Sequence, residues 1–419
     1  MRRRLRLRVR RWVSALVLAP WFAAALLAQS RTEVRPSVSV GAVYDENILW
    51  QPDAQSDHIW RLTPAITISR DSARSQWLMD GMVEGEWFSR YRDLSTPAAR
   101  QHASTRTRWQ TSSRTEVIAA GGYDNSINPT EINVATGLGL GRVRAWRWFG
   151  GPEVAVAVSE RTKITSSYQL IQEFASTTND ITTHRGELLV SQRLGERDEF
   201  RARYIPEWFL FEGAGRMPSH RALVGWSRRL TPATRFTIDG GVRMAEARYR
   251  PDVDVSLMRT AGFFDASIDY AWTQATALGL TRLADVQRVL GRVRYEKPGR
   301  TGGSLQGGVY LNDLGTTTAT VYSVSAELVQ PLFSLVSIGA SYGFDSQRGR
   351  INVGLSPVTL APAPLVPLAP APATDLRVRR EVFQVRLIIS APALRTRPAE
   401  EPRDPTRDPR TRTGDRHDR

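Results

Sequence analysis

The residues able to do chemistry in this 419-residue chain are charged ones spaced two or four positions apart. Asp80, Glu84 and Glu86 form one such group, Arg201 and Arg203 a second, Asp239 and Arg243 a third. Asp265 and Asp269, then Arg288, Arg292 and Arg294 continue the pattern, and Arg380 and Arg386 keep the even spacing at six positions. On an extended strand even spacing places side chains on one face. Such faces make a hydrated wall of mixed charge, suited to passing or holding polar solutes. They do not make a catalytic centre. The five histidines, His58, His102, His184, His220 and His417, show no paired spacing of a metal or nucleophile motif. Cysteine is absent, which excludes thiolate chemistry, disulfides and Cys-ligated metal. The run Gly137-Leu138-Gly139-Leu140-Gly141 lacks the following Lys and the strand–helix setting of a phosphate loop. It reads as a glycine-rich loop. No enzyme activity, catalytic residue, metal or cofactor is expected.

The elements that carry these charges alternate apolar and polar residues. Trp77, Met79, Gly81, Val83, Gly85 and Trp87 share one face, opposite Gln76, Asp80, Glu84 and Glu86. Phe200, Ala202, Tyr204, Trp208 and Leu210 oppose Arg201, Arg203 and Glu207. Phe264, Ala266, Ile268, Tyr270 and Trp272 oppose Asp265 and Asp269. Period-two alternation over about ten residues is longer than the usual soluble strand of 5–6. Trp77 and Trp87 lie ten residues apart on one face, roughly 33 Å along a strand. Tilted by about 40°, that span covers roughly 25 Å, the apolar belt of an outer-membrane barrel. Trp77, Trp87, Trp208 and Trp272 are therefore expected to form an aromatic girdle on the outside, with the charged groups lining the lumen.

Short connections are expected near 71–74, 111–114, 159–161, 194–198, 230–234, 273–276, 297–303 and 330–332. Long loops are expected over 45–57, 91–100, 124–145, 174–183, 211–219, 249–260 and 345–375. Short periplasmic turns and long outer loops are the pattern of an all-β, antiparallel up-and-down outer-membrane barrel. At about 20 residues per strand and connection, residues 29–390 hold about 18 strands, with 16 as the alternative. Such a sheet must close, because an open edge is not tolerated in lipid.

Both ends read differently. Residues 1–28 have seven arginines, then an uncharged apolar core ending in small residues, the plan of a secretory signal peptide. Residues 391–419 are rich in Pro and Arg and read as a disordered tail. The stretch 355–374, dense in Ala and Pro, reads as a loop. The formal charge of +15 suggests nucleic acid at first. Without the seven leader arginines and the net +2 of the tail, about +6 remains, spread over the repeat. That balance argues against a nucleic-acid partner and for outer-membrane lipid around a Gram-negative cell's barrel.

Residues 38–68 carry Tyr44-Asp45-Glu46-Asn47, then Ser56-Asp57, then Pro64 within the second strand. This segment resembles the opening hairpin of the β-barrel porin 2 family, where Tyr-Asp-Asp-Asn is usual and Glu46 departs from it. The stretch 87–91, Trp109 and the Arg-Thr turns are also similar, so the resemblance runs through most of 35–390. It implies an outer-membrane conduit for a secreted polysaccharide, working with a periplasmic polysaccharide-export protein, and no catalytic residues. Tyr44, Asp45, Glu46 and Asn47 are expected at the mouth, as a turn, a cation site or a shaper of the entrance. Two rival readings stand: a diffusion porin for small polar solutes, and a non-conducting structural or surface-binding barrel plugged by 345–375.

Overall fold

A computed structural model describes residues 30–139, 141–176, 180–278, 280, 282–315, 318–350, 375–392 and 394–395. The segment 1–28 expected as a signal peptide, the Ala/Pro-rich stretch 355–374 and all but the start of the expected tail lie outside them. Eighteen strands form one closed antiparallel barrel. They begin with β1 (Arg31–Asp45), β2 (Asp57–Asp71), β3 (Ser75–Phe88), β4 (Thr96–Gln110), β5 (Thr115–Ser126) and β6 (Ala145–Ala157). Next come β7 (Thr162–Ala175), β8 (Ile181–Arg193), β9 (Asp198–Phe211), β10 (Gly215–Thr231), β11 (Thr234–Ala245) and β12 (Arg248–Ala261). The last six are β13 (Phe264–Ala275), β14 (Ala284–Tyr295), β15 (Gly302–Asp313), β16 (Thr318–Pro331), β17 (Val336–Arg350) and β18 (Asp375–Ser390).

Each strand pairs with its chain neighbours, and β1 closes on β18 from Ser37 opposite Ser390 to Asp45 opposite Val382. Closure satisfies the backbone groups of the first and last strands, so neither is left as an edge. A two-residue β19 (Leu394–Arg395) adds to β1 at Glu33 and Val34. Pairing thus continues just past the barrel, into the segment expected to be disordered.

The strands run 12 to 17 residues, longer than the ten the alternation suggests. At about 3.3 Å per residue even the shortest spans roughly 40 Å and overshoots an apolar belt of roughly 25 Å after tilting. Two loop expectations fail for this reason. Residues 211–219 are mostly strand, with only 212–214 linking β9 to β10. Residues 249–260 lie within β12, and the connection at 273–276 belongs to the end with the long loops. Pro251, Asp252 and Asp254 suggest a loop, yet Asp252 and Asp254 face inward while Val253, Val255 and Leu257 face out.

Facing follows from register. Pairing of β3 with β2 and with β4 sets Arg61 opposite Glu86, and Glu84 opposite Arg100, on the inner face. Trp60 and Trp87 are opposite each other on the outer face, where Trp60 is 58% exposed. Alternate residues along each strand point outward, and exposed large apolar side chains recur among them, Val40, Leu62, Ile66, Val224, Ile268, Leu305 and Leu328 included. A soluble protein would bury such a surface.

Candidate functional site

The inward face carries every charged residue singled out from the sequence: Asp80, Glu84, Glu86, Arg201, Arg203, Asp239, Arg243, Asp265, Asp269, Arg288, Arg292, Arg294, Arg380 and Arg386. Trp77, Trp87, Trp208 and Trp272 stand on the opposite, outward face. Trp77 sits toward the short-turn end and donates to Thr105 Oγ1 at 2.8 Å, while Trp87 lies beside the long-loop end.

Part of the inward charge falls into three neutral networks built from strands and the loop after β5. Arg61, Arg100 and Arg142 balance Glu84, Glu86 and Glu131. Arg61 meets Glu86 at 2.8 Å, Arg100 meets Glu84 at 3.1 Å, Arg142 meets Glu86 at 3.0 Å, and Arg100 also pairs with Glu131. Arg185, Arg201 and Arg203 balance Glu187, Glu207 and Asp239, with Arg203 3.2 Å from Glu187 and Arg201 paired to Asp239. Arg221, Arg243 and Arg250 balance Asp252, Asp254 and Asp285, with Arg221 2.6 Å from Asp252. A buried charge is tolerable only when paired and hydrogen-bonded. Three acids against three bases in each network meet the pairing half of that condition, with Arg243 1% exposed, while buried Glu84 Oε1, Arg203 Nε and Arg243 Nη1 are left without a hydrogen bond.

Of the other inward charges singled out from the sequence, all but Arg380 are more loosely held. Asp80 accepts from Thr67 at 2.8 Å, Asp269 from Ser267 at 3.1 Å, and Arg292 donates to Gln306 at 3.1 Å. Arg294 pairs with Glu296, and Arg386 with Glu327. Asp265 and Arg288 have no hydrogen-bond or ion-pair partner among the described residues.

At the long-loop end, Asp45 and Asn47 tie the first loop down. Asp45 accepts from Arg380 Nε at 3.1 Å and from the Asn47 backbone at 3.0 Å. Asn47 Nδ2 donates to the carbonyls of Gln51 at 2.6 Å and Arg379 at 2.9 Å. The Glu46 backbone donates to Glu381 at 2.9 Å, and outward Tyr44 lies 5.2 Å from the His58 ring. The motif knots the β1–β2 loop to β18. With Asp45 taken by Arg380, no group of three or more His, Asp or Glu placed for a metal ion occurs among the described residues.

Two further loops fold into the barrel; residues 351–374 of the 345–375 segment expected as a plug lie outside the described residues, and 345–350 are the end of β17. Loop 127–144 leaves β5 and reaches β15–β17: Gly139 donates to Gln347 Oε1 at 2.9 Å, and Asn312 Nδ2 to the Thr136 carbonyl at 3.0 Å. Leu138, fully buried, packs among Val286, Tyr310, Ala319 and Val321. Here the glycines serve close approach. Gly137 has φ +66° and lies against the Tyr310 ring, and a Cβ on Gly139 would collide with Trp50.

Loop 276–283 crosses from β13 toward β7–β9. Thr276 donates to Glu173 at 3.0 Å, Leu278 packs on Ile132, Ala145 and Ala175, and Leu283 packs on the Ile181, Phe209 and Phe211 cluster. The two loops meet where Leu278 N donates to Asn133 Oδ1 at 3.0 Å. Burial pushes the Glu131 carboxyl up, but the Arg100 charge and hydrogen bonds from Arg100 and Ser126 outweigh it and hold it below the ordinary range. The long-loop mouth is thus packed with apolar side chains, next to the paired charges of the wall.

No family model matches this chain, and no curated protein matches it. Among solved structures it is similar to OpdQ of Pseudomonas aeruginosa, at 9% identity and TM-score 0.42, over 88% of this chain and 98% of that one. It is also similar to OccAB2 of Acinetobacter baumannii, at 8% identity and TM-score 0.43, over 87% and 98%. The siderophore receptor PirA of P. aeruginosa is similar at 11% identity and TM-score 0.40, over 86% and 81%.

Proposed function

We propose that this chain is an outer-membrane transport barrel whose outer mouth is shut by its own loops and opens to release a large polar cargo. The apolar outer face supports a place in lipid, and the usual orientation of such barrels puts the long loops outside and the short turns in the periplasm. The observation that carries the gated reading is the junction of loops 127–144 and 276–283 inside the mouth. A diffusion porin needs a standing aqueous path, which that packing opposes. The resemblance to the β-barrel porin 2 family favours a secreted polysaccharide as cargo, delivered by a periplasmic polysaccharide-export protein.

Two measurements test the reading. Deletion of the gene is expected to reduce surface polysaccharide, and unchanged polysaccharide would count against the cargo. In a planar bilayer the purified protein is expected to stay mostly silent and to conduct once the loop junction is broken. Steady conductance of the intact protein would favour the porin. Silence of both forms would favour a non-conducting structural barrel, which the packed mouth also suits.

A further inference from the structure

Three luminal networks are charge-balanced, whereas the short-turn end of β8–β11 gathers arginines without such balance. Arg193, Arg229 and Arg235 face inward there, and with Arg197 of the turn after β8 they line a polar recess of about 50 Å³. None of the four guanidinium groups has an ion-pair or hydrogen-bond partner among the described residues. Glu199, opposite Arg193, is an acid of the recess wall, and Glu196 belongs to the turn. Asp198 is engaged elsewhere, accepting from Trp226 Nε1 at 3.0 Å and lying 3.8 Å from Arg228.

The same two strands show what is missing. Arg229 stands directly opposite Arg235, and higher on the ladder Arg221 stands directly opposite Arg243. Like charges placed so repel. In the upper pair the Asp252 carboxylate lies between them, 2.6 Å from Arg221 and 3.6 Å from Arg243. The lower pair has no such carboxylate among the described residues. A guanidinium fork matches a carboxylate or phosphate in two-point geometry, and the recess has room for one such group rather than a whole sugar ring.

We infer that Arg229 and Arg235, with Arg193 and Arg197, form an oxyanion site at the inner mouth for the carboxylate or phosphate groups of an anionic polymer. The arginines face the lumen, so their ligand is something that enters it. The inference rests on the transport reading and adds to it the charge of the cargo.

Calorimetry on the purified full-length protein tests it, with oligogalacturonate, a neutral maltooligosaccharide of equal length, and inorganic phosphate as probes. Oligogalacturonate is expected to bind and the neutral sugar not to bind. The double variant R229Q/R235Q should weaken that binding by at least about tenfold, and R70Q, on the outer face of β2, should leave it unchanged. Should the double variant misfold, the single variants R229Q and R235Q carry the same comparison. Binding that survives the substitutions, or none by the intact protein, overturns the site. Inorganic phosphate bound as tightly as the oligomer overturns the polymer assignment. The assay needs no conduction: a barrel that binds but never conducts refutes the transport reading alone, and one that conducts but does not bind refutes only this site.

Discussion

Replacing Asn133 with Ala should unlock the mouth. The side chain is buried and holds both inward loops, accepting from the Leu278 backbone at 3.0 Å and donating to the Leu138 carbonyl at 3.1 Å. Removing it leaves a buried N–H and a buried C=O without partners. Each loss costs about 1–3 kcal/mol, so the closed arrangement loses about 2–6 kcal/mol. At about 1.4 kcal/mol per factor of ten, the ratio of closed to open falls by roughly 30-fold at least and roughly 10⁴-fold at most. Even the lower figure raises opening frequency in a single-channel recording well above that of the intact protein. Limited proteolysis gives a second reading, since a loop released from the mouth becomes cleavable between 127 and 144. A variant that keeps the normal heat-shifted mobility of a folded barrel, yet opens and cleaves no faster, would refute the locking role of this junction.

Two other predictions concern acid and lipid. The Glu131 carboxyl is held below its ordinary value, so it adds stability above its unfolded pKa of about 4.3 and loses it as pH falls through the lower folded value. Loop cleavage should therefore increase below about pH 4, and E131Q should be more cleavable at neutral pH and lack that acid step. On β16, Val324 faces out and Ser325 faces in, one residue apart near mid-strand. V324R should cost about 2–4 kcal/mol in a vesicle unfolding titration, and S325R much less. Equal costs would contradict the assigned facing.

The barrel was legible because period two survives any uncertainty about where a strand ends. Strand ends were harder to read, since Pro251, Asp252 and Asp254 resemble a turn until Arg221 and Arg243 are known to face Asp252. The charge networks depend on register between distant segments. Asp45 and Arg380 lie 335 positions apart, and nothing local to either names the other. The inward loops did leave a trace. Ile132, Leu138 and Leu140 in one, and Ala277, Leu278 and Leu280 in the other, are apolar residues in connections that solvent would be expected to fill with polar ones. An apolar run in a long barrel loop is a reason to expect burial, and the described residues Ile132, Leu138, Ala277, Leu278 and Leu280 are buried at the mouth.

That placement bears on the size of the cargo. A water-lined barrel has no central core, and in this one apolar burial inside the wall gathers where the loops fold inward. Leu138 and Leu278 are both fully buried there, and exposing each costs about 1.5–3 kcal/mol. With the Asn133 junction added, opening is uphill by several kcal/mol. A ligand shifts such an equilibrium only by its difference in affinity for the two states. A small solute at one site gains little from an open mouth, because the contacts it makes at the inner end are the same in both states. A polymer already seated at the inner mouth gains repeated contacts along the wall as it advances through an open one. On the transport reading, the energetics of the plug therefore favour a chain of repeating units over a small diffusing solute.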